Sequence, residues 1–158
     1  DYRCGRWLFE RRHWLWPRLL GFLRQPWVLW LELTTGIRLP ATADIGPGLY
    51  IGHHGGIILN GRTRIGANCN LSQDVTIGLG GRGDRPGVPV IGDRVYLGPG
   101  SRVFGKIRIG DDAAIGANAV LSFDLPDRSV AAGVPAQILN QHGSGDYVHF
   151  RGEEDDRN

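Results

Sequence analysis

The chain has 158 residues and 17.3 kDa, enough for one domain with a core, and its 25 glycines and 9 prolines stay below the share of a low-complexity disordered chain. No three-residue glycine period runs through it, which excludes a collagen-like fold. The net charge of +2 sets 18 basic residues against 16 acidic ones, and neither end carries the uninterrupted basic run of a nucleic-acid binder, so no nucleic-acid partner is expected.

Residues 2–34 hold all five tryptophans, and the first 38 residues carry seven arginines against three acids. This pattern predicts one or two helices in a segment spanning residues 1–36, broken at Pro17 and again near Gln25-Pro26. The simplest role for them is packing on the prism or between subunits. A second reading lays them on a membrane as a peripheral contact, because tryptophan favours the interface and arginine attracts anionic lipid. The longest apolar stretch, Trp27-Val28-Leu29-Trp30-Leu31, stops at Glu32, well short of a membrane span. No signal peptide is visible, and Cys4 and Cys69 are too few for a disulfide framework. The expected compartment is therefore the cytoplasm, with the inner face of the membrane as the second reading. The chain contains no methionine, so residue 1 is not read as an initiator and residues upstream are expected.

Gly36 to Pro40 reads as a hinge into a repeat covering residues 37–140. Aliphatic residues recur every six positions at Ile45, Ile51 and Ile57, then at Ile65, Leu71 and Ile77, then from Ile91 through Leu97, Val103, Ile109 and Ile115 to Leu121. Glycine directly follows many of these leads, and a small or aliphatic residue such as Cys69, Val75, Val95 or Ala113 often sits four positions on. A helix repeats every 3.6 residues and a strand every two, so neither gives a strict six. Short flat strands joined by tight turns do, three to a triangular coil, with the lead pointing into the prism. The phase slips by two residues between Ile57 and Ile65, which is read as a bulge at Asn60-Gly61. It slips by eight between Ile77 and Ile91, an inserted loop over residues 78–90 of the kind that carries binding function. After Leu121 the last coil closes through Leu125 to Ser129, and residues 141–158 read as a C-terminal tail that frays from Gly152 onward.

The motifs Gly48-Leu49-Tyr50-Ile51-Gly52-His53-His54-Gly55-Gly56-Ile57, Asn70-Leu71-Ser72-Gln73-Asp74-Val75-Thr76-Ile77-Gly78 and Ala132-Gly133-Val134-Pro135-Ala136 occur in that order. Over residues 36–140 the chain resembles the hexapeptide-repeat acyltransferases, and within them the serine acetyltransferase-like branch that includes sugar and polysaccharide O-acetyltransferases. The resemblance implies a mainly β fold, a left-handed parallel β-helix with a short N-terminal helical segment. It also implies direct acetyl transfer from acetyl-coenzyme A to an alcohol, in a groove between subunits of a homotrimer. A hydroxyl attacks poorly until a base takes its proton, and histidine titrates near neutrality. His53 matches the family's catalytic position and is expected to be that base, with His54 shaping the acceptor pocket. Gln73 and Asp74 are expected on the acceptor side. For coenzyme A, the resemblance points to Gly80 and Arg82 in the loop and to Pro99, Ala117 and Gly133 on the later coils.

Three departures bear on the acceptor. Arg38 stands where serine acetyltransferases place the aspartate that orients the histidine, Gly52 replaces the acid before the histidine, and Val88 falls at the second histidine. Asp44 lies nine residues before His53, half a coil away, and does not restore the pair; Gln73 is the better neighbour. A sugar or glycan hydroxyl is therefore the expected acceptor, with free L-serine as the alternative and a catalytically silent trimeric scaffold third. The chain ends Asp-Asp-Arg-Asn rather than in the docking isoleucine of serine acetyltransferases, and the long helical domain that joins trimers into hexamers is not seen, two further expectations against cysteine synthesis. The run Gly78-Leu79-Gly80-Gly81-Arg82-Gly83 fits a dinucleotide fingerprint only formally, because Pro86 and Pro89 forbid the helix it must open. Cys69 occupies a core position of its hexad rather than that of a nucleophile. A metal centre on this fold needs three spaced histidines, and the coils hold an adjacent pair only, so none is expected.

Overall fold

A computed structural model of the chain describes residues 1–80 and 86–149. Among the described residues two helices, α1 (Tyr2–Glu10) and α2 (Leu15–Thr35), precede fifteen short strands. These are β1 (Ile37–Arg38), β2 (Asp44–Ile45), β3 (Tyr50–Ile51), β4 (Ile57–Leu59) and β5 (Arg64–Ile65). They continue with β6 (Asn70–Leu71), β7 (Thr76–Gly78), β8 (Val90–Ile91), β9 (Tyr96–Leu97) and β10 (Arg102–Phe104). The last are β11 (Arg108–Ile109), β12 (Ala114–Ile115), β13 (Val120–Leu121), β14 (Val130–Ala132) and β15 (Gln137–Asn140). Through β13 every third strand joins one sheet, and β14 and β15 then both extend the third, giving face A (β1-β4-β7-β10-β13), face B (β2-β5-β8-β11) and face C (β3-β6-β9-β12-β14-β15). All pairings within the faces are parallel except the final β14–β15 pair. The chain is a left-handed parallel β-helix of triangular section, as the period of six implies.

Eleven of the twelve hexad leads are buried, and Ile51 in the first coil is half-buried. They stack in register along the axis, as in Ile51–Leu71–Leu97–Ile115 on face C and Ile45–Ile65–Ile91–Ile109 on face B. Along the corner between faces B and C the coils are further stitched by aspartates. Asp93 accepts from the Ala67 amide (2.7 Å), Asp111 from the Asp93 amide (2.8 Å) and Asp127 from the Asp111 amide (2.9 Å). Charge-assisted bonds of this kind compensate backbone donors at turns that no strand can reach.

The two-residue slip lies elsewhere than Asn60-Gly61. Ile51 pairs with Leu71 and Leu59 with Ile77, so the corner leading into β4 is two residues longer than the one in the next coil. The Asp74 amide bonds to the Gly55 carbonyl at 3.0 Å, as the Gly100 amide does to Gln73 (3.0 Å) and the Asn118 amide to Pro99 (2.8 Å). Gly55 therefore occupies Gln73's place, and the surplus falls within Gly52-His53-His54. Counting alone misplaces it because Ile57 and Leu59 both point inward, two apart on one strand. Asn60-Gly61 is an ordinary turn, closed by the Thr63 amide on the Asn60 carbonyl (3.0 Å). The eight-residue slip is where the sequence puts it, between β7 and β8, closed at its base by paired 3.0 Å bonds between Gly80 and Gly87.

The helices also depart from expectation. The break falls between Glu10 and Leu15, and Pro17 sits in the first turn of α2, where its missing N–H is no loss. Pro26 does not end the helix: the Phe22 carbonyl it leaves without a donor is on the solvent side, Phe22 being 74% exposed. α2 stops at Gly36, whose left-handed φ of 67° lets its amide reach the Glu32 carbonyl at 2.9 Å. α1 covers the open edge of face B. The Tyr2 hydroxyl donates to the Ala43 carbonyl (2.8 Å) and accepts from the Ile45 amide (3.2 Å), and Arg3 donates to the Ile45 carbonyl (2.7 Å).

Residues 141–149 return across the outside of face C. The Ser144 amide bonds to the Asp112 carbonyl (2.7 Å), Asn70 donates to the Tyr147 carbonyl (3.1 Å), Tyr147 stacks on Tyr96, and His149 meets Tyr50 edge-on. The fraying expected from Gly152 concerns residues outside those described.

Candidate active site

The corner between faces C and A gathers the candidates. Each coil turns there through a residue with left-handed φ: Gly56 (65°), Asp74 (60°), Gly100 (71°) and Asn118 (56°). His53 and His54 project from the first of these turns and are exposed; Gln73 and Asp74 lie one coil on, Pro99 the next, Ala117 the next, and Gly133 closes the column. The amide-to-carbonyl bonds from Asp74 to Gly55, Gly100 to Gln73, Asn118 to Pro99 and Val120 to Gly133 run as one ladder along it. Residues 80 positions apart in sequence are thus brought into one line by the coil geometry alone.

Two features build the histidine turn from beneath. The Asp74 carboxylate leans against the Cα side of Gly56, leaving no room there for a Cβ. From the other side, the backbone of Gly36 is packed so closely on Gly55 and Gly56 that a Cβ at Gly36 would sit 3.0 Å from the Gly56 nitrogen. The end of α2 is therefore one wall of the turn that carries His53. Nothing in the spacing of residues signals this contact; Gly36 reads only as a hinge. Arg102 is engaged with the carbonyls of Asp74 and Gly100 and ties two rungs of the corner together.

Further down, the corner is lined by small residues. Ala117 and Gly133 are exposed, Pro99 is half-buried, and a Cβ built on Gly133 meets nothing nearer than the Pro135 carbonyl at 3.4 Å. A slender pantetheine-like chain can lie along such a strip of accessible backbone. Gly80 stands apart from this column. It belongs to the loop at the corner between faces A and B, a full face away from His53, and Arg82 lies outside the described residues. Among the described residues, Gly80 does not meet the strip of Pro99, Ala117 and Gly133 within one chain.

The remaining polar groups sort themselves elsewhere. Asp44 is on face B and pairs with Arg6 (3.4 Å), away from the histidine turn. Arg94 forms a two-pronged pair with Asp112 (2.8 and 2.9 Å), which raises its pKa further. With Arg128, His142 and Ser144 this pair borders a polar cleft of about 580 Å³ at the B–C corner, on another edge of the prism from His53. No group of three metal-binding side chains occurs among the described residues. Cys69 is fully buried, and desolvation pushes its thiol up to about 11. At pH 8 a soluble thiol reagent is expected to label the exposed Cys4 and to reach Cys69 only after unfolding, as counted by mass spectrometry. Rapid double labelling of the folded protein would contradict this packing.

The model of the family "bacterial transferase hexapeptide (six repeats)" matches residues 89–122. A serine acetyltransferase of Helicobacter pylori is 36% identical over 140 residues, covering 89% of this chain and 78% of that protein. One from Mycobacterium tuberculosis is 34% identical over 135 residues, covering 85% of this chain and 59% of the relative. Among solved structures, a serine acetyltransferase from Brucella abortus in complex with coenzyme A superposes with a TM-score of 0.76 at 25% identity, over 90% of this chain and 54% of that one. The chain thus spans little more than half the length of the last two.

Proposed function

The chain belongs to the serine acetyltransferase-like branch of the hexapeptide-repeat acyltransferases, and from that premise we propose that it carries an acetyl group from acetyl-coenzyme A to the hydroxyl of L-serine. The observation that carries this reading is the 36% identity to the Helicobacter pylori serine acetyltransferase across 78% of its length. It displaces the sugar hydroxyl expected from Arg38, Gly52 and Val88, for which the relatives offer no support.

The thioester of acetyl-coenzyme A supplies an activated acyl carbon; everything else is asked of the chain. His53, exposed at the longest turn of its corner, takes the proton of the attacking hydroxyl. Asp74, one coil below with its carboxylate against Gly56, offers a negative charge for the ammonium group of serine. Pro99, Ala117 and Gly133 line the strip along which the pantetheine arm lies. The loop carrying Gly80 and Arg82 completes the donor site from a neighbouring prism, because its own corner faces away from His53. A trimer is the closed arrangement in which every prism gives one corner to each neighbour.

Coenzyme A release in the presence of L-serine, set against a panel of hexoses and aminosugars, tests the acceptor. Serine-dependent release well above the sugar background is expected. Release with a sugar and none with serine would instead favour the reading that rests on Arg38 and Val88. A mass by light scattering equal to one chain would overturn the shared groove.

A further inference from the structure

The two sides of α2 differ in burial and in chemistry. Pro17, Arg24, Val28, Leu31 and Thr35, spaced by three, four and seven, are buried or half-buried on the side that meets α1 and the first coil. On the opposite side Leu19, Phe22, Leu23, Trp27, Trp30 and Leu33 are between 54% and 77% exposed. At 100° per residue the large exposed apolar side chains span about half the circumference of the helix. A single-chain surface seldom leaves so broad an apolar strip in water. No helix of the described residues is long and apolar enough to cross a membrane.

The charges beside the strip say what it suits. Asp1 is paired with Arg24 and Glu10 with Arg6, and Glu32 is half-buried on the inner side of the helix. Arg11 and Arg12 in the turn between the helices and Arg18 in the first turns of α2 remain exposed, near Trp14 and Trp16 in sequence, with Arg11 over the Trp7 ring (4.5 Å) and Arg12 over Phe9 (4.1 Å). A second copy of the chain would bring the same uncompensated arginines to the contact. An anionic surface neutralises them, while indole rings settle at the boundary between headgroups and acyl chains. We propose that the exposed face of α2 is a membrane-docking surface, lying in the plane of an anionic lipid bilayer with Trp27 and Trp30 immersed and Arg11, Arg12 and Arg18 at the phosphate level.

The test is co-sedimentation of the chain with vesicles of phosphatidylcholine alone and of phosphatidylcholine with phosphatidylglycerol. Binding to the anionic vesicles is expected, weakening as salt rises, with little binding to the neutral ones. Each of Arg11→Gln, Arg12→Gln and Arg18→Gln is expected to lower partitioning by about fivefold. Leu23→Glu with Trp27→Glu is expected to abolish it while leaving the melting temperature in place, because both side chains are exposed. Absence of binding to either vesicle would overturn the proposal. So would a drop in mass on light scattering, without lipid, for the Leu23→Glu, Trp27→Glu variant, which would assign the face to a second copy.

Discussion

His53→Ala is expected to lower turnover of acetyl transfer by roughly 10²–10⁴-fold, the usual contribution of a positioned general base. The melting temperature should stay within a degree or two, because the imidazole is exposed on a turn outside the stacked core. The effect should fall on kcat, since the role we propose for His53 is proton removal rather than holding either substrate. His54→Ala serves as the internal control. As a neighbour on the acceptor side it should raise KM for the acceptor more than it lowers kcat. Steady-state coenzyme A release by both variants measures the split. Equal turnover by wild type and His53→Ala, with both folded, would remove His53 from the chemistry.

The second large effect is on stability and should leave the site alone. Ile109 is fully buried, paired in register with Ile91 on one side and bridged to Leu125 on the other. Ile109→Ala deletes its outer carbons from a stack that cannot collapse around the gap, because the coil spacing is fixed by backbone hydrogen bonds. The expected cost is about 2–5 kcal/mol, a large part of the roughly 5–15 kcal/mol that holds a domain together. Ile58→Ala makes the same chemical change on a side chain that is 50% exposed, and should cost less than about 1 kcal/mol. Chemical denaturation of the two variants reads the difference directly. Activity per folded molecule should be retained in Ile109→Ala, whose face B position is remote from the His53 turn.

The sequence carried the coil because burial and period are the same physical fact: an inward residue every sixth position is visible as an aliphatic letter. It carried the grouping of several candidate residues for the same reason. Once the coil is known, His53, Gln73, Pro99 and Ala117 fall on one corner by counting. What counting misses is any event that leaves the inward pattern intact. The two-residue surplus at Gly52-His53-His54 was hidden because Ile57 and Leu59 are equally buried. The contact of Gly36 with Gly55 and Gly56 and the return of residues 141–149 over face C are long-range packings without a repeat. Pro26 misled because a proline's cost in a helix depends on whether the carbonyl it strands is wet.

The surplus at the His53 turn and the longer one between β7 and β8 both leave the strands above and below in register. Each departure is absorbed at a corner and goes no further along the axis. Either turn can therefore be lengthened or shortened by itself, while the stack that sets foldability is left untouched. In this architecture an insertion is the natural unit of functional change, and a point substitution in the core is not.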